Sequence, residues 1–240
     1  MNSNCIVIFA NDPEKSDDLK NFHGILGKQK SFYLGRAMFF DTLALCLSLP
    51  RTDLIISYYP DDSKTNYDKM IELFEHEEFD SKLKKKIQSV KWLSQDGNRI
   101  MVRISDSFKQ AFDNGYKQVA MIGAYGIPID HHLIKAGYML LKDNDVVIGP
   151  SFNGRYYLFG MSRYMPEVFD GVTWESNDFY IRINDNIKQA GASVQELELS
   201  YEVYSPDELN QLMLDIERWR SLGDERTAYH TERCLRAIQG

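Results

Sequence analysis

The stretch VVIGPSFNGRYYLFGM, residues 146–161, decides how this chain is read. Two apolar runs of strand length, 146–149 and 156–161, flank a short polar loop at 150–155. Continuous apolar runs bounded by turn residues mark strands covered on both faces, not the alternating strands of a half-exposed sheet. The loop between them carries Asn153, Gly154 and Arg155 and no carboxylate. It either presents amide and guanidinium chemistry at a sheet edge or simply turns the chain.

Similar runs recur on both sides of this stretch. CIVIFA (5–10), DLIISYYP (53–60), QVAMIGA (118–124) and the alternating SVQELEL (193–199) read as strands, and 87–93 as a further short one. Helical patterns separate them. The span 32–49 is rich in helix formers and is stopped by Pro50. Residues 66–78 place Met70, Ile71, Leu73 and Phe74 on one side. Ile100, Ile104, Phe108, Ala111 and Phe112 share a helical face that Asn114-Gly115 closes. Asp130 is placed to cap the next helix. Pro206 opens a last one, striped by Leu209, Leu212, Met213, Ile216 and Trp219, and Gly223 separates it from a short terminal helix. This alternation predicts an α/β fold with a mainly parallel sheet flanked by helices, as one domain over 1–240 that ends in a helical hairpin at 206–240. Ligands of such sheets sit beyond the carboxyl ends of the strands, which directs attention to 11–22, 60–63, 124–130 and 151–155.

Composition narrows the function. With 43% apolar and 12% aromatic residues, the 240-residue chain can bury a full core. Its net charge of −7, without a basic stripe, excludes duplex nucleic acid as the main partner but permits a single nucleotide. Lys84-Lys85-Lys86 reads as a solvated connector. Cys5, Cys46 and Cys234 are odd in number and lack metal-like spacing, so buried thiols in a reducing compartment are expected. No apolar run reaches membrane-spanning length or resembles a signal segment, which predicts a cytoplasmic protein. The phosphate-loop, dinucleotide and nucleophile-elbow fingerprints are absent. His131-His132 would project about 100° apart at a solvent-facing helix start, and Asp61-Asp62 reads as a hydrated turn.

Several separated pieces, taken in order, resemble one family. IVIFANDPE (6–14) is similar to its first strand and the proline-bearing loop after it. Gln95-Asp96-Gly97 followed by Arg103 is similar to its Gln-x-Gly…Arg segment, and MIGAYGIP (121–128) to its Ile-Gly-Ser-Asp-x-Pro turn. Residues 148–161 resemble its most specific stretch, Gly-Pro-x-x-Asp-Gly-Gly-Tyr-Tyr-Leu-x-Gly. Residues 169–174 and VYSPDEL (203–209) resemble its later Trp and Asp-x-Asp-Thr-x-x-Asp-Leu segments. The family is that of the bacterial selenodomain-associated transferases, allied to the GT-A nucleotide-diphospho-sugar transferases, and the resemblance runs from Cys5 to about Leu212. It implies a three-layer GT-A-like fold, a nucleotide-sugar or related metabolite as ligand, and glycosyltransferase-like chemistry.

The departures fall on the residues that would carry that chemistry. Leu19-Lys20-Asn21-Phe22 stands where the family has a phosphate-gripping Lys-Thr-Arg-Leu run. Tyr125 or Gly126 replaces the metal-binding Asp, because one residue is inserted before Pro128. Asn153-Gly154-Arg155 replaces Asp-Gly-Gly, and Glu202-Val203-Tyr204 replaces Asp-x-Asp. A neutral amide is a poorer ligand than a carboxylate, so the ligands expected for Mg²⁺ or Mn²⁺ are missing and no cofactor is expected. Arg155 either stands in for the absent cation or pairs with an acid and fills the cleft. The resemblance makes Asn11, Lys20, Arg103, Tyr125 and Gly126 the nucleotide-binding candidates. Asn153, Arg155, Tyr156, Trp174 and Glu202 become the sugar or acceptor candidates, with Arg155 and Asn153 the catalytic ones. Of Tyr156 and Tyr157, one should face the core and the other the cleft or solvent. Trp174 either stacks on a ligand or packs, and Arg103 either reaches a phosphate or snorkels to solvent. A catalytically impaired, ligand- or partner-binding relative of the transferases is the expected function. The alternatives are a metal-independent glycosyl- or nucleotidyl-transferase using arginines on the diphosphate, and an interaction module whose hairpin at 206–240 docks a protein partner or second copy.

Overall fold

Strands β1 (Asn4–Asn11), β2 (Thr52–Tyr59), β3 (Lys91–Ser94), β4 (Gln118–Gly123), β5 (Val146–Pro150), β6 (Tyr156–Met161) and β7 (Val194–Glu196) form one sheet in the order β3-β2-β1-β4-β6-β5-β7. The structure is a computed structural model that describes residues 2–15, 19–78, 80–125 and 129–239. Within the sheet β6 alone runs antiparallel, pairing with β4 on one side and β5 on the other. The opening stretch is therefore a hairpin set into a parallel sheet, and its polar loop lies at the same edge as the carboxyl ends of β1 and β4.

Helices cover both faces. On one side lie α1 (Lys20–Ser48), α2 (Lys64–Glu77), α3 (Ser81–Ile87) and α5 (His131–Leu140), which bury Phe39, Phe40, Phe74 and Ile134 against Ile6, Ile8 and Ile56. On the other lie α4 (Ile100–Asp113) and α6 (Phe179–Gln189), which bury Phe108, Phe179 and Ile183 against Val7, Met121 and Phe159. A third cluster joins Phe22, Leu34 and Met38 of α1 to Leu209, Leu212 and Ile216 of α7 (Pro206–Ser221) and Leu235 of α8 (Tyr229–Gln239). Helices α7 and α8 are thus both fastened to α1 through that cluster. No described helix is long and apolar enough to cross a membrane.

Three local expectations change. The helix read as 32–49 begins at Lys20 and bends at Gly27, whose φ of 74° is left-handed and costs a glycine little. Glycines and polar residues hide its first turns, yet Phe22 is fully buried there. The strand read at 87–93 is only β3, because Leu83 and Ile87, four residues apart, bury one face of α3. Lys84-Lys85-Lys86 belongs to that helix, and Lys86 Nζ donates to the carbonyls of Leu47 and Leu49 (2.7 and 3.2 Å), closing the end of α1. Finally, Tyr156 and Tyr157 are both buried, on opposite faces, because β6 is an interior strand with helices on each side. Tyr157 packs so closely on Gly149 that a Cβ there would lie 2.5 Å from its ring.

Candidate functional site

A cleft of about 120 Å³ opens beyond the carboxyl ends of β1 and β4 and the start of β6. Phe9 and Asn11 reach it from β1, Gly123 from β4, and Tyr156 and Tyr157 from β6. Leu19, Tyr125, Trp174 and the segment 202–204 close its walls. The lining is mostly aromatic and aliphatic, with Glu202 as its one carboxylate among the described residues. The place is the one that the parallel topology dictates.

Glu202 dominates the electrostatics. Burial pushes its carboxyl up to about 7, against the pull of a hydrogen bond with the Asn153 side chain and the charge of Arg155. Asn153, Arg155 and Glu202 are therefore neighbours, as expected of residues from one sheet edge. Beside them the Tyr156 hydroxyl, in a side chain only 6% exposed, has no hydrogen-bond partner. The hairpin loop is held by local hydrogen bonds: the Asn153 side-chain Oδ1 accepts from Arg155 N–H (3.0 Å), and Gly154 N–H donates to the Ser151 carbonyl.

The arginines point elsewhere. Arg155 Nη1 donates to the Ser176 carbonyl (3.2 Å), and its guanidinium lies 5.1 Å from the Phe179 ring centroid and 5.9 Å from that of Trp174. Arg103, 9% exposed, stacks on Tyr59 at 3.8 Å. It neither lines the cleft nor snorkels to solvent. Lys20 is exposed at the start of α1. The Asn11 carbonyl accepts from the Tyr125 hydroxyl (3.2 Å), which ties two candidates together across the cleft mouth. Trp174 meets Tyr156 and Phe179 edge-on at 5.6 and 5.0 Å, so it packs and lines the cleft at once. Gly126 and Pro128, with the insertion between β4 and α5, lie outside the described residues.

The described residues do not fit a catalytic divalent cation. Such an ion needs several hard oxygen ligands. Here Tyr125 is bonded to Asn11, Asn153 is an amide, and Glu202, the one carboxylate among the described lining residues, is raised to about 7 by burial. Among the described residues no group of three His, Cys, Asp or Glu side chains could hold a metal ion. His131 and His132 do not splay apart as expected: their ring centroids lie 3.9 Å apart. Phe9, Ile100 and Ile104 also line the cleft and were not among the site candidates; only the rule that strand ends form ligand sites could have pointed to Phe9.

Residues 42–176, more than half the chain, match a family described as "Uncharacterized protein conserved in bacteria (DUF2064)". No curated protein matches the sequence. Among solved structures, a provisionally assigned nucleotide-diphospho-sugar transferase from Desulfovibrio desulfuricans G20 is similar at 26% identity and a TM-score of 0.81, covering 99% of this chain and 97% of that one. A cytidylyltransferase from Leptospira borgpetersenii serovar Hardjo-bovis (strain JB197) shares the fold at 9% identity and a TM-score of 0.56, covering 99% and 95%. CMP:2-keto-3-deoxy-manno-octonic acid synthetase, solved with CTP, does so at 10% identity and a TM-score of 0.54, covering 90% and 99%.

Proposed function

The chain belongs to the DUF2064 family and has the nucleotide-diphospho-sugar transferase-like fold, and on that premise we propose that it binds a nucleotide- or sugar-like ligand without metal-dependent transfer. The observation that carries this reading is the environment of Glu202. A carboxyl raised to about 7 is largely protonated below neutrality and is a weak ligand for a hard cation. Nothing else in the described cleft replaces it. The structural neighbours support the ligand class, since two of them are named for cytidine-nucleotide chemistry.

The arginine-based alternative has less support. Arg155 is engaged by Ser176 and the Phe179 ring, and Arg103 is stacked on Tyr59. Neither lines the cleft where a diphosphate would lie. The reading of the hairpin as a docking module is weakened too, because its apolar stripe is spent on α1.

Trp174 provides the test. Titrating the protein with cytidine and uridine nucleotides and their sugar conjugates should quench its fluorescence saturably, and Trp174→Phe should abolish that change. Purified protein should release no nucleoside diphosphate from the same compounds, with or without Mn²⁺. Metal-stimulated release would overturn the proposal.

A further inference from the structure

The lining of the cleft selects for charge and size. Phe9, Tyr125, Tyr156, Trp174 and Tyr204 contribute to it, and no Lys or Arg does among the described residues. Tyr156 and Trp174 meet nearly at a right angle, 87° with centroids 5.6 Å apart, and so form an aromatic corner. Phe9, Tyr125 and Trp174 are only partly buried and Tyr204 is 51% exposed, so these residues keep surface that a ligand can cover. A Cβ on Gly123 would lie 3.9 Å from Glu202 Oε1, which fixes the carboxyl at the end of β4, within the same wall.

This space lacks a positive charge. Burial raises the Glu202 carboxyl, and the Asn153 hydrogen bond and the Arg155 charge pull it down without offsetting that burial. Arg155 does not line the cleft, because its guanidinium is turned to the Ser176 carbonyl and the Phe179 ring. The remaining groups that act on Glu202 supply no cation. Tyr156 is a phenol held neutral by burial, and the charge of Glu208 on α7 opposes ionisation of Glu202. A carboxylate buried without a counter-charge is costly, and an entering cation restores its ionised form. Aromatic faces carry partial negative charge and favour a cation as well. A phosphate group would meet Glu202 and no counter-charge.

Size and lining restrict that cation further. At about 120 Å³ the cleft falls below the roughly 300 Å³ at which sites for whole drug-sized ligands begin, and near the about 150 Å³ that holds one benzene. Leu19, Ile100, Ile104 and Val203 offer hydrocarbon, not the oxygen ligands that an inorganic cation needs.

We propose that the cleft takes a small alkylammonium head group, its charge against Glu202 and its alkyl groups in the corner of Tyr156 and Trp174. The proposal rests on the reading of this cleft as the ligand site and names the group that enters it. That group is either a free amine or the end of a nucleotide conjugate, whose phosphates then stay at the mouth.

Calorimetric titration of the full chain at pH 8 with choline, its neutral isostere 3,3-dimethylbutan-1-ol, CDP and CDP-choline tests this. Choline should bind saturably, and the isostere at least about tenfold more weakly. Glu202→Gln keeps the shape and removes the charge, so it should weaken choline about tenfold and leave the isostere unchanged. Choline affinity should rise about tenfold from pH 6 to pH 8 in the parent chain and stay flat in Glu202→Gln, because the cation favours the ionised carboxyl. CDP-choline that binds more tightly than choline and CDP assigns the head group to a nucleotide ligand; no tighter binding than choline assigns it to a free amine, and both uphold the proposal. Absence of saturable choline binding, or an isostere that binds as well as choline, would overturn it. Binding of CDP alone separately decides the nucleotide reading, which survives that failure.

Discussion

Glu202 carries a carboxyl whose pKa in the folded chain stands near 7, and its sign can be checked in solution. A raised carboxyl pKa adds stability that is fully present below the unfolded value of about 4.5 and is lost as pH rises through about 7. Glu202→Gln, which cannot ionise, should therefore melt with the parent chain at pH 4 and above it at pH 8. The gain should be about 3 kcal/mol in chemical denaturation. Equal stabilities at pH 8 would show that Glu202 is solvated. The sequence offered this residue as an acidic site candidate through the family resemblance, but its environment was not legible. Nothing in residues 193–205 announces that the chain will carry Glu202 onto the end of β4. Arg103 illustrates the same limit: its helical position was readable, whereas its stacking on Tyr59 depends on a strand more than forty residues away. A side chain's partner is a long-range fact.

At the scale of elements, α8 is held by a residue from α1. Both carboxylate oxygens of Asp41 accept from the first turn of α8, from His230 N–H at 2.9 Å and Thr231 N–H at 2.8 Å. A helix start leaves such donors unsatisfied, and burial makes that costly. Asp41→Ala should cost about 2–3 kcal/mol of stability and raise amide exchange in α8 well above that in the sheet. Unchanged exchange in α8 would contradict the capping role. In the hairpin, Gly149→Ala should cost about 1–3 kcal/mol, read as a lowered unfolding midpoint, because its Cβ would strike the Tyr157 ring at 2.5 Å. Strands and the strongly striped helices were readable from period alone, as α4 shows. The first turns of α1 and the short α3 were not, since glycines, lysines and a brief apolar pattern gave no period long enough to read.

Across the whole molecule, the parallel sheet with one inserted antiparallel strand places the cleft where β1 and β4 end. The family resemblance in the sequence rested on pieces that the fold brings to this edge: the end of β1, the turn after β4, the β5–β6 loop and the segment around Glu202. Their altered residues still meet, which is why Asn153, Arg155 and Glu202 interact, but they meet as an amide, a cation turned aside and a reluctant carboxylate. Among the described residues these do not make the oxygen cage that a hard cation needs. Thermal unfolding against nucleotides and nucleotide-sugars, each with Mn²⁺ and with a chelator, tests this most directly. A ligand at about 100 times its Kd stabilises a fold by roughly 2.7 kcal/mol, so a true ligand is readable. The account predicts a stabilising ligand whose shift is the same with Mn²⁺ as with chelator. A shift that appears only with Mn²⁺ would contradict it, because the cleft would then hold the cation that Glu202 and its neighbours are argued not to bind.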